Sequence, residues 1–317
     1  MTPEISVIIP VFNNEKTIVR VVEALSRQKD INHEIIAVDN GSKDLSVSYL
    51  KTAAEKNKDY LFFLEEHKKG AAAARNTGVK KANSDLIIFL GGDIIPDKNL
   101  LARHLSVHIK EPENEVGCLG NVTWDPVLDP TPFMVFLENG GPQNAFGKIA
   151  GEEWVDPESF FYGSNVSLKK ELFEKVGGFD EDNFDGYGWE DLELGYRLKK
   201  NNFRLKYEPS ALGYHHHPYS LSFVRERSKK VGYGYVKYKN NHPSIKGWNL
   251  DDERWKYYFR ELIFSKLLMS PVVALAEFGE KKYQWNCLYE RLLSQSFYKG
   301  VHEALTKKEL HVEKLQS

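Results

Sequence analysis

The sequence predicts an α/β chain built on a doubly wound sheet, followed by a mainly helical C-terminal extension. Three observations carry this. Short β-branched runs alternate with segments of helical period through the first hundred residues. Polar or acidic residues sit just past the strands, where such sheets bind ligands. Beyond about residue 219 the chain becomes basic and aromatic, then long helical patterns follow.

The elements follow in order. ISVII (5–9) is a β-branched run closed by Pro10 and reads as a buried strand. Asn13 or Asn14 is placed to cap the next helix, in which Ile18, Val21, Val22 and Leu25 form one apolar face. EIIAV (34–38) is the second strand and ends at Asp39, Asn40, Gly41 and Ser42. Residues 45–56 read as a helix, 60–64 as a third strand and 70–82 as an alanine-rich helix. LIIFL (86–90) is the fourth strand and ends at Gly91, Gly92 and Asp93. From 100 to about 156 the pattern weakens; 116–120 reads as a strand and 138–156, rich in Gly, Asn and Pro, as a mobile loop. Residues 159–166 read as a strand and 168–176 as a helix stopped by Gly177 and Gly178. A helix is expected over 189–200, with Leu194 and Leu198 on one side, and short strands over 204–207 and 211–214. We place a boundary near residue 220.

Composition narrows the function. Hydrophobic residues make up 41% of the 317, enough for a sizeable core. The formal net charge of −2 argues against a nucleic-acid partner. Two cysteines, Cys118 and Cys287, exclude a disulfide scaffold or a four-cysteine zinc site and suit a reduced, cytoplasmic compartment. MTPEISVIIPVFNN carries no basic n-region or small-residue cleavage site, so no signal peptide is expected. The most apolar stretch, LIFSKLLMSPVVALAEF (262–278), is interrupted by Lys266 and Pro271 and does not read as a transmembrane span.

Several residues are candidates for chemistry. Asp39 is placed to accept hydrogen bonds from a base or ribose and Asp93 to hold a metal, although Asp also favours strand-end turns. Glu190 and Asp191 open a helix beside Gly186, Gly188 and Trp189; they point a carboxylate into a cleft or simply suit the helix dipole. In an extended segment His215 and His217 share one face and His216 takes the other, a pattern for metal ligands or for an ordinary exposed strand end. Gly70–Asn76 lacks the lysine and spacing of a P-loop, but its small residues permit close approach to phosphate and Arg75 is within reach of a nucleotide.

SVIIPVFNNEKTI (6–18), VDNGSKD (38–44), GAAAARN (70–76), FLGGDIIP (89–96), FYGSNVSLKKELFEKVGGFDE (161–181) and GYGWEDLELGYRLKK (186–200) resemble, in order, the motifs of glycosyltransferase family 2. The resemblance implies a GT-A fold: a Rossmann-like mixed central sheet flanked by helices. Residues 1–97 would be the nucleotide-binding half, 98–219 the acceptor half and 220–317 a helical extension. It implies that Pro10, Phe12, Glu15, Asp39, Arg75, Gly92 and Asp93 bind the nucleotide-sugar. Asp191 would be the catalytic base, with Trp189, Glu190, Gly163 and Asn165 toward the acceptor. Asp93, His215 and His217 would hold a divalent metal, Mn²⁺ or Mg²⁺.

Two positions depart from the family pattern. Gly91 stands where the first acid of Asp-x-Asp is usual, and Asn40 replaces the second acid after Val38. A Gln-x-x-Arg-Trp motif does not follow the acidic pair, so addition of one or a few sugars is expected rather than polymer synthesis. The expected reaction is an inverting transfer from a nucleoside-diphosphate sugar, a UDP-sugar first among them, to a hydroxyl of a glycan or lipid-linked acceptor, as in polysaccharide or cell-envelope synthesis. The alternative is a weak or inactive sugar-nucleotide-binding scaffold; a nucleotidyltransferase lacks its usual lysine-bearing loop here. Arg225, Arg227, Lys229 and Lys230, with the apolar run 262–278, suggest peripheral contact with the inner face of a membrane. A helical cap packed by its apolar face is the other reading.

Overall fold

The structure is a computed structural model and describes residues 2–28, 30–141, 145–184, 188–243 and 266–316. Asp185, Gly186 and Tyr187 of the acidic motif, and residues 262–265 of the apolar run, lie outside the described residues. Contacts divide the chain into two units. Unit 1 comprises Met1–Leu128, Ile149–Asp185 and Glu190–His217; unit 2 comprises Asp129–Lys148, Gly186–Trp189 and Pro218–Ser317.

Unit 1 is a mixed sheet flanked by helices. Its first strands are β1 (Ile5–Val11), β2 (His33–Asp39), β3 (Leu61–Glu65) and β4 (Leu86–Leu90), followed by short β5 (Ile94–Pro96) and β6 (Val116–Trp124). Then come β7 (Trp154–Val155), β8 (Asn165–Lys169) and β9 (Arg204–His215). The order is β3-β2-β1-β4-β8-β6-β9-β5, with β7 also on β9. β1 to β4 pair in parallel; β1, β2 and β4 are nearly all buried apolar strands, and β3 is the half-buried edge. β8 runs antiparallel to both β4 and β6, and β9 returns parallel to β6. The helices are α1 (Ile18–Ser26), α2 (Ser46–Lys56), α3 (Ala71–Lys81), α4 (Leu100–Lys110), α6 (Pro157–Phe160), α7 (Lys170–Lys175) and α8 (Glu190–Lys200), with α5 (Pro132–Glu138) in unit 2. α3 packs on β1 and β2 through its small residues; a Cβ at Gly78 would run into the Ile8 side chain.

The sequence expectation needs correction at five places. The N-cap of α1 is Thr17, not Asn13 or Asn14; the Asn14 side chain instead accepts from the Phe12 N–H. The region of weak pattern holds α4, whose buried His104 and His108 disguise its inner face. The stretch 138–156 is not a plain loop: it contains a 3₁₀ turn at Ala145–Ile149 and β7, with 142–144 outside the described residues. The strand expected at 159–166 begins only at Asn165, because Asp156 caps α6 and Pro157 opens it. The two short strands after 204 are one, β9, with a register shift opposite Gly120 and Asn121.

In unit 2, α9 (Leu221–Asn241) packs on α11 (Asn286–Gln316) where a Cβ at Gly232 would meet the Phe297 carbonyl. Phe133 of α5 meets Tyr289 of α11 edge-on and Phe136 meets it tilted, 4.9 and 5.5 Å between ring centres. α10 (Lys266–Gly279) precedes α11.

Candidate active site

The carboxyl ends of β1, β2 and β4 form one rim. Asp39 lies in register with Val11 and Glu65 at the ends of neighbouring strands. Its Oδ2 accepts from the Gly41 and Ser42 N–H groups at 2.9 and 3.1 Å, whereas its buried Oδ1 has no partner among the described residues. A buried acceptor without a donor is costly, and such an atom suits a ligand that brings one. Asn40 is saturated differently: its amide donates to the Glu66 and Lys68 carbonyls and accepts from the Gly70 N–H, tying the β2 end to α3.

The first loop is laced to the second. Glu15 donates its N–H to Asp44 at 2.9 Å, and its carboxylate accepts from the Leu45 N–H at 3.1 Å. Glu15 therefore braces the loop, while Phe12 stands 61% exposed at its tip. Pro10 ends on the same rim; a Cβ at Gly92 would sit 3.2 Å from its carbonyl and 2.9 Å from Asn14 Oδ1. The backbone there has no room for a side chain.

Asp93 follows on the turn after β4. β5 pairs antiparallel with the end of β9, placing Ile94 opposite His215, and the His216 N–H donates to the Asp93 carbonyl at 2.9 Å. Asp93 Oδ2 lies 3.2 Å from His215 Nε2 and 3.8 Å from His217 Nδ1. One ligand atom from each residue lies within 4.8 Å of the others. Burial would push the Asp93 carboxyl up, but His215 and then His217 outweigh it and hold it well below the usual range. One carboxylate and two imidazoles fit a divalent transition ion, with positions left for oxygen ligands. His216 points the other way, as alternation requires: it and Arg20 both bind Asp125, at 2.8 and 3.0 Å. Asp125 in turn donates its N–H to the His215 carbonyl. Asp125 and Arg20 thus brace the histidine segment, and nothing in their sequence surroundings marks them out.

The acid pair lies at the same end of the sheet. The Gly91 N–H donates to the Ser164 carbonyl at 3.0 Å, joining the residues just before Asp93 to the residue after Gly163. The Gly163 N–H donates to Asp191 Oδ2 at 2.9 Å. Arg75, buried in α3, bridges Glu190 and Asp191 at 3.2 and 3.1 Å and donates to the Gly163 carbonyl. Arg75 is therefore bound to the acid pair. Gly163 likewise acts as the seat of Asp191, because a Cβ there would lie 2.9 Å from the Arg75 guanidinium carbon. Asp191 keeps 22% of its side chain exposed, whereas Glu190 is buried and its Oε2 has no partner among the described residues. Burial, then the Asp191 charge, pushes the Glu190 carboxyl up to about 7 against the pull of Arg75. The two acids are thus made unlike each other. Tyr162, which the motifs do not single out, is pushed up to about 12 by burial and by the charge of Asp191.

The two other residues expected toward an acceptor, Asn165 and Trp189, are each held by contacts of their own. Asn165 is fully buried: its amide nitrogen donates to the Asn121 and Ala211 carbonyls and its Oδ1 accepts from His104 Nε2, so both of its donors are spent on the framework. Trp189 belongs to unit 2. Its φ is +75°, its indole N–H donates to the Val231 carbonyl at 2.8 Å, and its ring stacks on Tyr238.

The family description "Glycosyl transferase family 2" matches residues 6–177, and "N-terminal domain of galactosyltransferase" matches 150–220. Validoxylamine A glucosyltransferase of Streptomyces hygroscopicus subsp. limoneus is 29% identical over 219 residues, covering 62% of this chain and 48% of that protein. The chain therefore spans about half the length of that relative. Mannosyltransferase PcManGT from Pyrobaculum calidifontis, solved with GDP-Man and Mn²⁺, superposes with a TM-score of 0.64 at 17% identity over 97% of this chain and 88% of that one. S. aureus TarS 1–349, solved with UDP, gives 0.53 at 17% identity over 96% and 92%. At these identities the structural likeness is one of fold, the GT-A fold. The matched family pattern runs through more than half of the sequence, from β1 to the end of α7, and the chain belongs to glycosyl transferase family 2.

Proposed function

We propose that this chain is an inverting, non-processive glycosyltransferase that moves a sugar from a nucleoside-diphosphate sugar to a hydroxyl of a glycan or lipid-linked acceptor. The observation that carries the reading is the pairing of Gly91 with Ser164, which brings the Asp93–His215–His217 cluster and the Arg75-held acid pair to one end of the sheet.

In this reading Asp39 offers its unpartnered Oδ1 to a donor group of the base or ribose. Asp93, His215 and His217 would hold the metal, and their imidazoles favour Mn²⁺ over Mg²⁺. When bound, the ion supplies positive charge where the diphosphate leaves. Asp191, oriented by Arg75 and the Gly163 N–H, takes the proton of the acceptor hydroxyl. The acceptor oxygen then bonds to the anomeric carbon as the bond from that carbon to the diphosphate breaks, with inversion. Glu190 holds a proton more readily than an ordinary carboxyl, which limits repulsion beside the base.

Solved relatives of the fold bind GDP-Man or UDP, and a UDP-sugar is our first choice of donor. No helix among the described residues is long and apolar enough to cross a membrane, and we place the chain in the cytoplasm, with peripheral contact at the inner face through unit 2. The test is a panel of nucleotide-sugars with Mn²⁺, read by melting temperature and by donor hydrolysis. One donor should raise the melting point by linkage and be turned over. A donor that binds without turnover at any metal level would favour the scaffold reading.

A further inference from the structure

α10 is apolar on both sides: Ala276 is buried and Val272 and Val273 half-buried on the inner one. Pro271, Ala274, Leu275 and Phe278 fall at i, i+3, i+4 and i+7, so they share one face. That apolar face is exposed, Leu275 by 58% and Phe278 by 79%. Two acids tie the helix down. Glu277 pairs with Arg225 at 3.3 Å, and the buried Glu280 just beyond the helix accepts from the Leu221 N–H at the start of α9. These anchors fix the helix rotation and leave its apolar stripe without cover among the described residues.

The next residues are exposed and of a different kind. Lys281 and Lys282 are exposed and make no ion pair among the described residues, and Tyr283, 53% exposed, stacks on Trp285 at 5.2 Å. Beside Leu275 the surface dips into a cavity of about 600 Å³ lined also by Trp285, Cys287 and Leu288. An apolar stripe bordered by lysines and an amphipathic aromatic ring matches the acyl, phosphate and interfacial layers of an anionic bilayer.

We propose that the α10 stripe, with Lys281, Lys282 and Tyr283, docks unit 2 on an anionic lipid surface. The basic run that the sequence brings forward is not that surface. Arg225 is paired with Glu277, Arg227 lies over the Tyr219 ring and Lys229 is paired with Glu303. Two lysines and one short stripe give a reversible attachment that needs both components. The inference deepens the peripheral-contact reading above and is independent of sugar transfer, since its test reads binding alone.

The test is co-sedimentation of the full chain with vesicles of phosphatidylcholine alone or with about 30 mol% phosphatidylglycerol, at about 50 and 500 mM salt. Binding to the anionic vesicles at low salt is expected. It should fall at least about fivefold in the double variant Leu275→Ser/Phe278→Ser and in Lys281→Glu/Lys282→Glu, with melting and donor hydrolysis unchanged. Lys230→Glu, on the exposed side of α9, should bind as the parent does. Binding that persists in both double variants, or no binding to anionic vesicles, overturns the proposal. So does light scattering that shows a dimer in the parent and a monomer in Leu275→Ser/Phe278→Ser, which would make the stripe a contact between copies. Loss of donor turnover in the parent chain would count against the proposed function only.

Discussion

The Asn165 amide donates to the Ala211 carbonyl at 2.8 Å, at the point where β9 slips register against β6. Four residues later the same strand delivers His215 opposite Ile94. The slip sets which face His215 and His217 occupy, because a one-residue change would exchange them with His216. Asn165→Leu leaves two carbonyls and the His104 ring N–H without partners. It should lower stability by about 3 to 5 kcal/mol. Mn²⁺ affinity should fall with it; chemical denaturation and a Mn²⁺ titration check this, and full affinity in the variant would show that the slip does not set the histidines.

Gly91 stands where the family pattern has an acid, yet restoring that acid should not help. A Cβ at Gly91 would lie 2.8 Å from Ile94 Cγ1 and 2.9 Å from Asp93 Oδ1. Gly91→Asp must therefore displace the ligand carboxylate or the β5 turn. It should cost about 1 to 3 kcal/mol and weaken Mn²⁺ binding severalfold. A calorimetric titration showing tighter binding would contradict this account of the departure.

Much of the frame was legible because it is local. Alternation of β-branched runs and helical faces places β1 to β4, and the acids just past them share a rim. What stayed hidden depends on partners far along the chain. Asn165 reads as a polar motif residue until β6 and β9 close over it. Arg75 reads as a free cation at a helix start until the loop before β8 and α8 arrive. Asp125 and Arg20 carry no motif at all, and only the returning end of β9 gives them a role. α4 escaped notice because two of its inward residues are histidines.

Those histidines predict an acid-sensitive fold. His104 Nε2–H donates to Asn165, Ser167 bridges His104 and His108, and burial pulls the two rings down to about 4 and about 3. The folded state keeps both neutral, so their contribution is complete above the unfolded value of about 6.5 and is lost as pH falls below it. Between pH 7 and 5 stability should drop by about 3 kcal/mol from this pair. Denaturation midpoints at the two pH values check it, and His108→Leu should remove about half of the drop. An unchanged drop would move the cause elsewhere.

Glu190 gives the opposite sign. Its folded value, raised by burial and then by Asp191, means that stability declines as pH rises from the ordinary carboxylate range to about 7. Glu190→Gln removes that titration. The variant should melt higher than the parent at pH 8 and alongside it at pH 5. A difference that does not change with pH would show that Glu190 is already ionised across the range.

The most direct measurement is Asp191→Asn in the presence of Mn²⁺ and the donor that the parent turns over. Asp191 touches Arg75 and the Gly163 N–H but none of the three proposed metal ligands. The account predicts donor binding within about twofold of the parent and transfer reduced about a thousandfold. Transfer at the parent rate, or loss of donor binding together with transfer, would contradict Asp191 as the base in a site whose donor is held by Asp39 and Asp93.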